Sequence, residues 1–219
     1  MNASVVIPWR SDCPHRRAAR AWALARWRAA GYEPLLGHAP AGPWCKAAAV
    51  ADALARADSP VLIVADADVW CDGIDTAVDA VLAGASWAIP HHQVRRLGPQ
   101  ATADVLAGGP LGGGLEQRPY TGFEGGGMVV LPRALYERAP LDRRFAGWGQ
   151  EDEAWALALR ALAGPPWRGQ EPLWHLWHPP QARGSRRWGS APSRALHARY
   201  RAARTPEAMT RLLGEMEVA

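Results

Sequence analysis

This chain of 219 residues holds a single lysine, Lys46; every other strongly basic side chain is arginine. Cysteine is nearly as scarce. Cys13, Cys45 and Cys71 are odd in number and lack paired spacing, which argues against a disulfide scaffold and against a zinc knuckle. No apolar segment approaches the length of a membrane span. No signal peptide is read at the start, since residues 4–9 form only a strand-length apolar run. No internal repeat is visible. These absences point to a soluble, cytoplasmic protein.

What is present fits one full-sized α/β domain: 48% hydrophobic residues, 21% charged, and enough length for a sizeable core. The net charge of +4 suits a polyanionic ligand such as a nucleotide, or loose attraction to nucleic acid or an anionic surface. Arginine is unevenly spread. Arg16, Arg17, Arg20, Arg26 and Arg28 crowd the first predicted helix. Arg183, Arg186, Arg187, Arg194, Arg199, Arg201 and Arg204 crowd the tail. Apart from Trp188 and Tyr200 the tail lacks interleaved aromatics, so a solvated charged face is the default and no strong nucleic-acid signal results. The expected division is a domain over 1–182 and a basic, partly helical tail over 183–219.

Strand and helix alternate along the first half, which predicts a mostly parallel central sheet flanked by helices. Strands are expected at 4–9, 32–38, 60–65 and 86–90, and helices at 15–30, 45–57 and 74–83. Pro14 suits the start of the first helix and Gly31 its end. Residues 97–122 then break the pattern with seven glycines and little periodicity, and read as a mobile loop over a site or as a surface insertion. Order returns with a strand at 125–132, a short helix at 133–139, a helix ending near Ala163, an extended segment at 171–177 and a last helix at 206–216.

Four clusters carry possible chemistry. Asp66-Ala67-Asp68 ends the apolar run from Val61. In open α/β sheets ligands bind beyond the carboxyl ends of strands. Residues i and i+2 of an extended segment point the same way, so two carboxylates would converge and attract a hard divalent ion; acids that simply end a strand in a solvated turn are the plain alternative. Glu151-Asp152-Glu153 stand at a predicted helix start, where acids complement the dipole, or where one serves as a general base behind the glycines that precede it. His175 and His178 flank Trp177; three residues apart, they would not share a strand face, so at most one is expected to bind a metal directly. Pro8-Trp9-Arg10 with Asp12 ends the first strand. It reads as an ordinary turn or as a nucleotide contact, with Trp9 or its backbone beside a base, Arg10 at phosphate and Asp12 at base or ribose.

In this order the four clusters resemble the GT-A fold nucleotide-sugar glycosyltransferases. The likeness is nearest to the inverting β-1,4-galactosyltransferase-like group and its bacterial family-2-type relatives. Val5 to Arg10 looks like the first-strand motif that meets the nucleoside. Trp44 to Leu54, with Lys46, looks like the helix before the metal strand, and Asp66-Ala67-Asp68 like the family's DxD motif. Gly125-Gly126-Gly127 before Met128 is similar to the glycine-led strand under the donor sugar. Trp148-Gly149-Gln150-Glu151-Asp152 is similar to a Trp-Gly-Gly-Glu-Asp motif. Two departures stand out: Gln150 replaces the second glycine, and Glu153 replaces an aspartate common in the galactosyltransferases.

The resemblance implies transfer of a sugar from a nucleotide-sugar donor, UDP-linked by preference, to a hydroxyl acceptor, with Mn²⁺ or Mg²⁺ as cofactor. It implies Asp68 as the direct metal ligand and Asp66 at ribose or metal. Either His178 or His175 completes the ligand set. Asp152 would be the base and Glu151 a positioning group. Donor contacts would come from Pro8, Trp9, Arg10, Asp12, Lys46, Ala67, Gly126, Gly127 and Trp148. A sugar-1-phosphate nucleotidyltransferase would want a glycine-rich loop after the first strand, and Pro8-Trp9-Arg10-Ser11-Asp12 has no glycine. A non-catalytic nucleic-acid or partner-binding module would rest on the basic tail alone.

Overall fold

The computed structural model describes residues 2–10, 13–180 and 189–217. Its centre is a seven-stranded sheet. The strands are β1 (Ala3–Trp9), β2 (Leu35–His38), β3 (Val61–Ala65), β4 (Val69–Trp70), β5 (Ala88–Arg96), β6 (Met128–Pro132) and β7 (Trp167–His175), in the spatial order β2-β1-β3-β6-β5-β7-β4. β1 and β3 are buried along their whole length, as their Val/Ile/Leu content requires of central strands.

The sheet is mixed rather than mostly parallel. β1 pairs in parallel with β2 and β3, and β5 with β7. β6 runs antiparallel to both β3 and β5, and β4 antiparallel to β7. Helical crossovers bring β1, β2 and β3 parallel to one another. After β5 the chain passes through a helix at Pro99–Leu106 and returns in β6 in the opposite sense.

Eight helices are described: α1 (Pro14–Ala29), α2 (Lys46–Leu54), α3 (Ile74–Leu82), α4 (Pro99–Leu106), α5 (Arg133–Arg138), α6 (Glu151–Ala163), α7 (Ala191–Ala202) and α8 (Pro206–Gly214). Alternate strand residues feed opposite cores. Val6, Leu62, Val64, Val129 and Leu131 meet α2, α6, α7 and α8. Val5, Ile7, Ile63 and Val130 meet Trp27 of α1 and Ile74 and Val78 of α3.

Two helices depart from the sequence reading. α4 lies inside the expected loop of 97–122: Pro99 opens it, and Ala101 and Val105 pack on Leu97. The flanking glycines hide this four-residue apolar spacing. α7 lies in the arginine-rich tail, capped by the Ser190 hydroxyl, which accepts from the Ser193 amide. Leu196 and Tyr200 of α7, with Met209, Leu212 and Leu213 of α8, join the core around Trp155 and Leu159. The expected boundary at 182/183, and Arg183, Arg186 and Arg187, lie outside the described residues. No helix among those described is long and apolar enough to cross a membrane.

Candidate active site

The site forms where β3 ends. Asp66 leaves the strand tied to Gly127 by backbone and side chain: its amide donates to the Gly127 carbonyl at 2.8 Å, and Gly127 N donates to Asp66 Oδ2 at 3.1 Å. Ala67 and Asp68 form a turn, with Ala67 in the buried cluster below. The two carboxylates take different partners. Extended geometry stops at Ala65, so the i, i+2 alignment does not reach Asp68.

Asp68 turns toward the end of β7, where its carbonyl accepts from Leu176 N at 2.9 Å. Its carboxylate lies 3.8 Å from His175 Nε2 and 3.4 Å from His178 Nε2. Both histidines thus reach one carboxylate, although three residues apart they would not share a strand face. β7 ends at His175, and the non-strand path through Leu176 and Trp177 swings His178 back beside it. One ligand atom from each of Asp68, His175 and His178 lies within 4.8 Å of the others.

The electrostatics suit a cation. Burial pushes the Asp68 carboxyl upward, but His175, His178, Arg16 and Arg96 together outweigh it and hold the group below its ordinary value. Burial lowers the pKa of His175 further than Asp68 raises it, which favours the neutral, ligating ring. His178 Nδ1 lies 2.8 Å from the Pro179 carbonyl oxygen. A proton there satisfies that carbonyl and leaves Nε2 as the lone-pair atom facing Asp68, a common arrangement behind metal-ligating histidines. His175 Nδ1 is buried without a hydrogen-bond partner, so no protein group competes for it. One carboxylate and two imidazoles are a fitting donor set for Mn²⁺. Asp66 stands outside this group.

A second cluster adjoins the first through Lys46. This lysine opens α2, is 6% exposed, and donates to Asp66 Oδ1 at 2.8 Å and to Asp152 Oδ1 at 2.7 Å. Burial alone would lower the Lys46 pKa; Asp152, Asp66 and Glu151 reverse this and raise it. Asp152 and Glu151 begin α6. Burial, with Asp66 adding repulsion, raises the Asp152 carboxyl against the pull of Lys46. Burial and the neighbouring Asp152 push Glu151 up to about 7, and Glu151 Oε2 has no hydrogen-bond partner.

Glycine lets these pieces close up. A Cβ on Gly125 would stand 2.1 Å from the Asp152 carbonyl oxygen, and one on Gly126 3.2 Å from Asp152 Oδ2. Gly127 has φ +72° and abuts Leu173. The turn before it is anchored by Glu124, which pairs with Arg160 and, at 3.1 Å, with Arg168.

Trp148 stacks on Trp44 at 5.4 Å, and Gly147 N donates to the Trp44 carbonyl at 2.7 Å. The Arg16 guanidinium lies 4.4 Å from the Trp148 ring centroid. The remaining expected contacts are more dispersed. Pro8 and Trp9 are buried; the Trp9 ring belongs to the core with Arg20 over its face at 4.3 Å, so the ring itself is not a free platform for a base. Arg10 is exposed and donates to the Gly42 carbonyl at 3.1 Å. Asp12 lies outside the described residues. Arg16 is the residue that the site reading missed. Its signal is the four-residue spacing to Arg20 just after Pro14, which places both on one helix face.

No family model matches the chain, and no curated protein matches it. Solved structures do resemble it. A point mutant of Drosophila β-1,4-galactosyltransferase 7, complexed with manganese, UDP-Gal and xylobiose, is 13% identical with a TM-score of 0.44. That alignment covers 77% of this chain and 64% of that one. Glucosyl-3-phosphoglycerate synthase from Mycobacterium tuberculosis, with Mn²⁺, UDP-Glc and phosphoglyceric acid, is 15% identical with a TM-score of 0.49, over 93% and 79% of the two chains. A further mycobacterial protein is 15% identical with a TM-score of 0.46, over 93% and 74%.

Proposed function

We propose that this protein is a metal-dependent glycosyltransferase that moves a sugar from a nucleotide-sugar donor, UDP-linked by preference, to a hydroxyl acceptor with inversion at the anomeric carbon. The observation that carries the reading is the Lys46 bridge between Asp66 and Asp152. It couples the carboxylate motif that runs on into the Asp68-His175-His178 cluster to an acidic helix start backed by glycines.

Asp68, His175 and His178 would hold Mn²⁺ or Mg²⁺, which supplies Lewis-acid stabilisation of the diphosphate leaving group. Asp66, held by Lys46 and the Gly127 amide, would reach the ribose. Asp152 is the base. The acceptor oxygen bonds to the anomeric carbon, the bond from that carbon to the β-phosphate oxygen breaks, its electron pair stays on the diphosphate, and the acceptor proton passes to Asp152. Its upward shift suits proton acceptance, provided Lys46 keeps it ionised in the resting state. Buried Glu151, largely neutral below about pH 7, positions donor or acceptor hydroxyls.

The test is a thermal-shift and transfer assay with a panel of nucleotide sugars, with and without Mn²⁺, followed by NMR assignment of the product anomer. A preferred donor should raise the melting temperature only with metal. Asp152→Asn should abolish transfer and keep donor binding. Sustained turnover by that variant, or a retained anomeric configuration, would remove the base assignment.

A further inference from the structure

Resting on the glycosyltransferase reading, we propose that Arg16 is the second cation of the donor site and binds the diphosphate as it leaves. Arg16 sits in the first turn of α1, half-buried, with its guanidinium against the Trp148 ring. Nη2 lies 3.5 Å from His178 Nε2. Among the described residues no carboxylate forms an ion pair with Arg16, although Asp52, Glu33, Asp142, Glu124 and Glu215 all pair with other arginines. Arg16 acts on Asp68 without an ion-pair contact, and a guanidinium so placed beside metal-ligating side chains is available to an outside anion.

The His178 contact cannot persist once a metal is bound. The Pro179 carbonyl fixes the proton on Nδ1, so Nε2 has one lone pair, and Arg16 shares it only at long range. A metal held by Asp68, His175 and His178 takes that lone pair. A metal held there and Arg16 would repel each other unless an anion lay between them. A diphosphate supplies that anion, with oxygens enough for both. The guanidinium fork takes two phosphate oxygens at once, and the Trp148 face holds its plane. The positive end of α1 adds to the same potential. When the bond from the anomeric carbon to the β-phosphate oxygen breaks, the electron pair gathers on oxygens within the reach of Arg16.

The role separates from simple support of Trp148 by the sign of two measurements. Isothermal titration of the full chain with Mn²⁺ alone, and with UDP and UMP in the presence of Mn²⁺, would compare the wild type with Arg16→Met and Arg16→Lys. Arg16→Met should bind Mn²⁺ alone at least as tightly, because a competing cation is gone. It should bind UDP about 10- to 100-fold more weakly, the range for losing hydrogen bonds to a charged group, and UMP with a much smaller loss. Arg16→Lys, which keeps charge and loses the fork, should fall between, and it decides the matter should the methionine variant not fold. Equal loss of Mn²⁺, UDP and UMP would make Arg16 a prop for Trp148 and overturn the proposal, as would unchanged UDP affinity. A wild type that binds no nucleoside diphosphate with Mn²⁺, tested also with GDP and ADP, would instead remove the glycosyltransferase reading, and this role with it.

Discussion

Lys46 Nζ lies 2.7 Å from Asp152 Oδ1, joining a buried ammonium to a half-buried carboxylate 106 positions away. The same ammonium holds Asp66. Removing it leaves two carboxylates with no cation between them. Lys46→Met should therefore destabilise the protein by about 3–5 kcal/mol, the range for breaking a buried ion pair from one side. Urea denaturation measures this. Pairing it with Asp152→Asn should give less than the sum of the two losses, and a loss under about 1 kcal/mol in Lys46→Met would show that water reaches the pair.

Metal binding should depend on both histidines. His175→Ala and His178→Ala should each weaken Mn²⁺ binding by about tenfold or more, and Asp68→Ala should abolish it. The affinity should also fall as pH drops, because a protonated imidazole cannot ligate. His175, with its pKa lowered by burial, should stay a ligand to lower pH than an ordinary imidazole. Titration of Mn²⁺ by electron paramagnetic resonance across pH 5–8 follows this; equal affinity for the single-histidine variants would remove that variant's histidine from the ligand set.

Glu151 gives a pH dependence with a definite sign. Its folded-state pKa, about 7, is above the ordinary 4.5, so the folded protein holds the extra proton between those values. The stability it contributes is complete below about pH 4.5 and is lost as pH rises through about 7. Glu151→Gln should flatten that slope and be the more stable protein at pH 8. Denaturant midpoints at several pH values check it; parallel curves for the two proteins would mean that Glu151 is charged throughout.

Much of this was legible in the sequence because it depends on local order. Strand-length apolar runs ended by Asp66 or Trp9, and acids following a Trp-Gly pair, name their own positions. What stayed hidden depends on chain direction after an element stops. The split of Asp66 from Asp68 follows from a turn at Ala67, and the convergence of His175 and His178 from β7 ending between them. Neither turn carries a glycine or an Asn to announce it. α7 was obscured because its arginines mask a buried face of only Ser193, Leu196, His197 and Tyr200. Lys46 was conspicuous as the single lysine, but its bridging role needs both partners in space.

Gly125 should tolerate no side chain. A methyl there would meet the Asp152 carbonyl oxygen at 2.1 Å and Ala156 N at 3.1 Å, both backbone atoms of α6 that cannot swing away. Gly125→Ala should cost about 3 kcal/mol, the upper end of the usual range for overpacking, and should displace Asp152. Near-wild-type stability would mean that α6 shifts freely, which its packing through Trp155 and Leu159 opposes.

Gln150 stands where the resembling motif has glycine, and it keeps a glycine-like backbone. Its φ is +77°, the only positive value among the described non-glycine residues. A left-handed conformation costs a residue with a Cβ about 1–2 kcal/mol. The side chain adds to the cost, since Oε1 is buried without a hydrogen-bond partner, in the space a side chain at position 189 would take. Gln150→Gly should relieve both, and the greater chain entropy of glycine offsets only part of the gain. The expected result is a gain of about 1 kcal/mol, or a rise of about 2–4 °C in melting temperature for a chain of this size. Gln150→Ala keeps the strained backbone and removes only the orphaned amide, so it should recover less. The ordering Gly above Ala above Gln separates backbone strain from amide burial. If the glycine variant is instead the least stable, the Gln150 side chain supports α7 more than its backbone costs, and the departure from the motif is a brace between the acidic helix start and the tail.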